Sequence, residues 1–351
     1  MHSPPGADDR SPAIADLPPF DSNDLSAAGP AQAEHYEPRA PKLAPPHGRL
    51  SVQIILFALT LVTTTWAGAD HYAFYRIDMS LLDYPETLRR QLIAMLAEPS
   101  FYLHGLWYSV TILTILVCHE MGHYVACLRY GVVATRPYFL PVPIPMTGTF
   151  GAFIRIKSRI PTRKALFDIG IAGPLAGFVI AVPALFIGLM LSRLDRLPEN
   201  TAGLSELGEP LLFKIAVWLL WGDIPAGHSL NMHPIAFAAW FGLLATALNL
   251  FPISQLDGGH IAYAVLGRRS TIVTIVMLCV AVGLAFNSMS WIVWTVLLLI
   301  MIGVLGPHHP PTLYDDEPID SKRVVLAVIA ALILVLCFSP VPIGDFLAGR
   351  G

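Results

Sequence analysis

LHGLWYSVTILTILVCHEMGHYVACL, residues 103–128, places His119-Glu120-Met121-Gly122-His123 inside a stretch too apolar to sit in water. Helical residues i and i+4 share a face, so the imidazoles of His119 and His123 can hold one metal ion, while Glu120 projects about 60–100° around the helix from them. The carboxylate is thereby left to work on a metal-bound water. A charged side chain at bilayer depth costs at least about 2.5–3.5 kcal/mol, so an acid between two histidines at this depth points to use, not accident. Cys118 lies about 100° from His119 on the same helix and reads as packing.

The composition supplies the solvent. Of 351 residues 54% are hydrophobic and 13% charged, against about 25% charged in an ordinary soluble domain. The chain therefore reads as an all-α polytopic membrane protein. A formal charge of −3 offers no basic surface for nucleic acid, and Cys118, Cys127, Cys279 and Cys337 form neither a disulfide framework nor a CxxC metal site. Residues 1–48 hold ten prolines and no apolar periodicity, the composition of a disordered tail with no secretory signal.

Apolar runs approaching the roughly 20 residues of a bilayer crossing recur at 50–68, 103–128, 169–191, 233–251, 271–287, 291–306 and 323–339, giving about seven transmembrane helices. The last two before 306 could instead form a hairpin that does not fully traverse, and Leu211–Trp221 reads as interfacial. With the tail inside, fourteen basic loop residues fall inside and seven outside, the distribution that the positive-inside rule favours. A bacterial inner membrane is the expected host, with the tail cytoplasmic. Three parts result: the tail 1–48, a membrane domain 49–306 with its core at about 103–267, and 307–351 as a cytoplasmic loop plus a last transmembrane helix.

A hydrolytic zinc site takes three protein ligands and leaves one position for water. The best third ligand is Asp257 in NLFPISQLDGGH, residues 249–260, which follows a second crossing running in the same direction as the first. The plainer alternative is an Asp-Gly-Gly turn capping the next helix. Pro252 interrupts the helix, and Gly258 and Gly259 permit backbone angles other residues avoid. Unwound backbone at membrane depth is tolerated where it lines a wet cavity.

These two motifs, with Gly148-Thr-Phe-Gly151, Ala172-Gly-Pro174-Leu-Ala-Gly177 and His233-Pro234 leading into Trp240, resemble the site-2 protease family of intramembrane zinc metalloproteases. The run TGTFGAFIRIKSRIPTRKALFDIGIAGPLAGF is especially similar to the bacterial and plastid branch. The resemblance implies a three-helix catalytic core, one Zn2+ held by His119, His123 and Asp257, and Glu120 as general base and acid. It also implies single-pass transmembrane proteins in the lipid bilayer as substrates, often already trimmed by another protease. Many bacterial members insert a PDZ domain between the catalytic crossings; here that segment, 192–232, has 41 residues, too few for such a domain.

Asn249 is a candidate for gripping substrate or stabilising the tetrahedral oxyanion, with helix–helix hydrogen bonding as the alternative. A transmembrane substrate must be unwound before its peptide bond is reachable, and an extended partner would satisfy its backbone. Thr147–Ile156, containing Gly148, Thr149, Phe150 and Gly151, is expected to be a short strand or re-entrant loop in that role; an amphipathic interfacial segment is the alternative. Gly173 and Gly177 form a GxxxG step for close helix packing. His260 can orient Asp257 or serve as a cap, His104 reads as structural, and His308 and His309 read as solvated. Two other functions fit less well: a transition-metal transporter, whose polar residues should spread along several helices, and a membrane-anchored protease acting on soluble chains, which needs a soluble domain.

Overall fold

The computed structural model describes residues 49–198 and 205–345, so the expected tail at 1–48 lies outside the described residues. Helix α1 (Leu50–Arg76) is followed by α2 (Pro85–Leu96), then by a 3-10 turn (Pro99–Gly105) leading into α3 (Leu106–Arg129). A hairpin of β1 (Tyr138–Pro141) and β2 (Thr149–Phe153) precedes α4 (Arg163–Leu191). Next come β3 (Arg193–Arg196), β4 (Ser205–Leu207), α5 (Leu211–Trp221), β5 (His228–Asn231) and α6 (Pro234–Leu250). The chain continues through α7 (Asp257–Leu266), α8 (Ser270–Ala285), α9 (Met289–Leu305), α10 (Ser321–Cys337) and β6 (Ile343–Asp345).

Four helical stretches among the described residues are long and apolar enough to cross a membrane: Leu50–Arg76, Pro99–Arg129, Arg163–Leu191 and Asp257–Ala285. Helices α6, α9 and α10 have 17 residues each, a rise of roughly 26 Å against a hydrocarbon core of about 30 Å. Length alone thus supports four crossings where hydropathy suggested seven. Nor is the chain purely helical, because three antiparallel two-stranded ribbons form, β1–β2, β3–β5 and β4–β6. Composition hid the latter two, whose strands are only three or four residues long.

Local chemistry sets the helix ends. The Thr162 hydroxyl accepts the Ala165 N–H to open α4, and Asp320 accepts the Arg323 N–H at 3.0 Å to open α10, each satisfying a donor that the first turn leaves free. Inside α1, the Thr60 and Thr64 hydroxyls donate back to carbonyls one turn earlier at 2.7 and 2.6 Å, so these polar groups need no water.

Helices α3, α4 and α6 pack together around Leu166, Phe167, Leu185, Leu189, Trp240 and Leu243, all fully buried. In lipid, helix association depends on close approach more than on apolar burial. Small residues provide it: a Cβ at Gly122 would meet the Ala172 carbonyl oxygen at 2.4 Å, and one at Gly188 would meet the Ala236 nitrogen at 2.2 Å. Helix α5, which sequence placed at the interface, contributes Phe213, Ala216 and Val217 to this same core and leaves Lys214 exposed beside Glu209.

The β1–β2 hairpin runs beside α1, with β1 against α1 and β2 toward α3. Gln53 donates to the Arg136 carbonyl at 3.0 Å, and the Phe57 ring meets Phe139 edge-on at 5.0 Å. Within Thr147–Ile156 the expected strand forms over Thr149–Phe153. Phe150, on β2, is 71% exposed, a large apolar side chain left facing outward.

Candidate metal centre

His119 and His123 sit on the buried side of α3, with Glu120 between them, at 7%, 7% and 6% exposure. Asp257 opens α7, and the break between α6 and α7 delivers it. Phe251 leaves the helical region, Ile253 N–H turns back to the Phe251 carbonyl at 2.8 Å, and Ser254 takes a positive φ of 46°. Gly258 and Gly259 lie inside α7 and carry no positive φ, so the backbone freedom they permit is not used. Space is what they supply: a Cβ at Gly258 would fall 2.0 Å from the Leu250 carbonyl oxygen, and one at Gly259 2.1 Å from that of Ser254.

Asp257 Oδ2 lies 3.3 Å from Nε2 of both His119 and His123, and the two Nε2 atoms are 3.2 Å apart. Three donors on a tetrahedral ion with bonds of about 2.0–2.1 Å would be separated by about 3.3 Å. The residues therefore fit zinc. They form a group able to hold a metal among the described residues.

The His123 ring is oriented from behind. Its Nδ1 lies 2.7 Å from the Ile169 carbonyl, an oxygen that can only accept, so Nδ1 carries the proton and Nε2 presents its lone pair to the other two ligands. Helix α4 is shaped to the rings: a Cβ at Gly173 would fall 2.0 Å from His123 Nε2, and one at Gly177 3.3 Å from His119 Cβ and Nδ1. The glycine step that sequence assigned to helix packing packs on the histidines themselves. Glu120 is buried on α3, against which β2 packs. Asn249 Nδ2 is 3.5 Å from His119 Nε2, bringing that candidate to the edge of the centre.

Gly148, Thr149, Phe150 and Gly151 lie on the hairpin, with positive φ at Gly148 and Gly151, and Thr149 bridges the strands by donating to the Leu140 carbonyl at 2.9 Å. His260 Nδ1 meets His309 Nε2 at 2.6 Å. His309 Nδ1 also faces the Pro310 carbonyl at 2.7 Å, so it carries the proton, and His260 is the donor in the pair. The His309 ring stacks on Tyr263 at 4.6 Å, and Tyr263 donates to Asp315 at 2.9 Å. Solvated His309 was thus the wrong expectation: burial holds its pKa below 6.5. No spacing rule links residues 49 positions apart; the weak signal was a histidine pair in a loop returning toward α7.

Residues 107–290 match peptidase family M50. The chain belongs to this family, the site-2 proteases. It is 28% identical over 302 residues to a protein named probable zinc metalloprotease EGY2, chloroplastic, of Oryza sativa subsp. indica, covering 82% of this chain and 53% of that protein. It is 30% identical over 234 residues to probable zinc metalloprotease EGY1, chloroplastic, of Arabidopsis thaliana, covering 66% and 42%. The chain spans about half the length of these curated relatives. No solved structure matches. The relatives' names place those proteins in chloroplasts, so they do not favour the bacterial inner membrane expected from sequence.

Proposed function

We propose that this M50 chain is an intramembrane zinc endopeptidase that cuts a peptide bond within or near the transmembrane segment of a single-pass membrane protein. The observation that carries the reading is the near-equilateral triangle of His119, His123 and Asp257 donor atoms, 3.2–3.3 Å on a side, with Glu120 buried beside it on a membrane-crossing helix. One zinc ion per chain, held by those three residues, would supply a Lewis acid and bring the pKa of a coordinated water toward neutrality.

Glu120 takes the proton of the attacking water and returns it to the departing amine nitrogen, so the hydrolysis balances with the carboxylate unchanged. Asn249 offers an amide N–H to the developing oxyanion or to the substrate backbone. The outer edge of β2 accepts the unwound substrate as a further strand, with Phe150 against its side chains. Grips on the hairpin extend along α1 from Gln53 to His71, a rise of roughly 27 Å that supports a re-entrant hairpin. On the seven-crossing path, the fourteen-to-seven distribution of basic loop residues favours an inside tail. A second protease trimming the substrate first, as in regulated intramembrane proteolysis, fits a site enclosed by helices with no large domain between them.

Glu120→Gln tests the reading in proteoliposomes holding a single-pass reporter. It should keep about one zinc per chain while losing at least about 10²-fold in cleavage. Full cleavage by Glu120→Gln, or metal uptake that survives the substitution without proteolysis by either form, would replace it.

A further inference from the structure

Three side chains from two membrane helices hold three consecutive carbonyls at the hairpin tip. His71 Nε2 donates to Met146 O at 2.9 Å, the Tyr108 hydroxyl to Thr147 O at 3.1 Å, and Thr63 Oγ1 to Gly148 O at 2.7 Å. Pairing between β1 and β2 reaches only as far as Pro141 and Thr149, so this clasp acts where the ladder has ended. Tyr108 is fully buried. The tip is also wedged, since a Cβ at Gly148 would fall 2.6 Å from both Thr63 O and Thr64 Cα. A hairpin seated this way cannot slide along α1 without giving up all three hydrogen bonds and meeting backbone.

The clasp has a chemical consequence because β2 connects it to the reacting groups. Thr149 follows the clasped Gly148 directly, and β2 packs against α3, the helix that carries Glu120. The strand is thus fixed at one end by Thr63, His71 and Tyr108 and lies along the helix of the proposed general base. A substrate strand laid on β2 takes its register from β2. We propose that Thr63, His71 and Tyr108 are positioning residues that set this register and so choose which substrate peptide bond is presented to Glu120. The inference rests on the function proposed above and adds to it the determinant of cleavage position.

Profiling of fragment termini by mass spectrometry, in membranes of cells carrying each form of the full chain, tests it. Fragments that depend on Glu120, by comparison with Glu120→Gln, define the products. Thr63→Val combined with Tyr108→Phe should keep the zinc content of the parent. Its share of fragments ending at the parental bond should fall at least about twofold, with new termini about two residues away, because a slip of two keeps the same faces paired. Thr63→Ser keeps the donor and should restore the single terminus. Thr111→Val removes a hydroxyl that donates to Trp107 O of its own helix and should leave the termini unchanged. If the double variant is not recovered folded, Thr63→Val alone decides.

Slower cutting at the parental bond only, without new termini, overturns the inference and leaves the clasp a structural contact. Absence of any Glu120-dependent fragment removes the proteolytic reading and the inference together.

Discussion

Gly173 stands so close to His123 that a methyl group on it would lie 2.0 Å from the ring nitrogen aimed at Asp257. The ring cannot yield by rotating, because its other nitrogen is bonded to the Ile169 carbonyl at 2.7 Å. Gly173→Ala should therefore weaken zinc binding by at least about tenfold, the range seen when groups orienting a metal ligand are lost. Gly177→Ala meets His119 at 3.3 Å and should cost less, whereas Asp257→Ala removes a ligand and should cost more. Metal analysis after titration with a chelator ranks the three variants. Parental affinity in Gly173→Ala would mean that α4 does not shape the centre.

Asn249 separates two roles by its distance. At 3.5 Å from His119 Nε2 its amide is too far for a strong hydrogen bond, so it should contribute little to holding the ligand. Asn249→Ala should then retain parental zinc and lose about 10²-fold in kcat, the scale for an oxyanion donor. Loss of zinc in this variant would instead assign Asn249 to ligand positioning.

The two variants also mark what the sequence could and could not disclose. His119, Glu120 and His123 were legible because helical spacing fixes their faces, and Asp257 because a proline break and two glycines announced an interrupted helix. Which atoms those glycines approach was not legible: Gly258 meets the Leu250 carbonyl and Gly173 a histidine ring, and GxxxG spacing names no partner. Strand β1 was missed because Tyr138–Pro141 is four residues long and flanked by Pro137 and Pro143, which look like loop. The His260–His309 pair depends on the path of the chain after α9, a tertiary fact that local periodicity does not encode.

That pair makes the loop after α9 sensitive to pH. The loop is pinned by Leu313 N–H to Ile160 O at 3.1 Å, Tyr314 N–H to Pro161 O at 2.8 Å and the Lys164–Glu317 ion pair, as well as by His309 facing His260, Tyr263 and Asp315. Burial lowers the His309 pKa below its ordinary 6.5. Between those two values the unfolded loop binds more protons than the folded one, so the folded arrangement is favoured above pH 6.5 and loses stability as pH falls toward the lowered pKa. Hydrogen exchange of amides 307–316, corrected for intrinsic rates, should show protection declining below pH 6.5. His309→Gln stays neutral and can still accept from His260, so it should flatten the profile. A parental profile independent of pH would sink the assignment.

Arg323 offers the last test, because it ties α10 to the backbone that orients His123. Its Nε and Nη2 donate to the two oxygens of Asp168 at 2.8 and 2.6 Å, and Tyr130 donates to the same carboxylate. Asp168 directly precedes Ile169, whose carbonyl holds the His123 ring. With side chains 19% and 25% exposed, the pair is partly screened, and its coupling should lie at about 1–3 kcal/mol, below the cost of breaking a fully buried pair. A double-mutant cycle of Arg323→Met and Asp168→Asn, followed by unfolding in mixed micelles, measures that coupling. Arg323→Lys should recover only part of it, since an ammonium cannot span both carboxylate oxygens in the fork geometry of a guanidinium. Because Asp168 and Ile169 share a helical turn, loosening the latch should also lower zinc affinity, by less than Gly173→Ala does. A cycle that closes with no coupling would remove the latch, and the His123 ring would then owe its orientation to α4 alone.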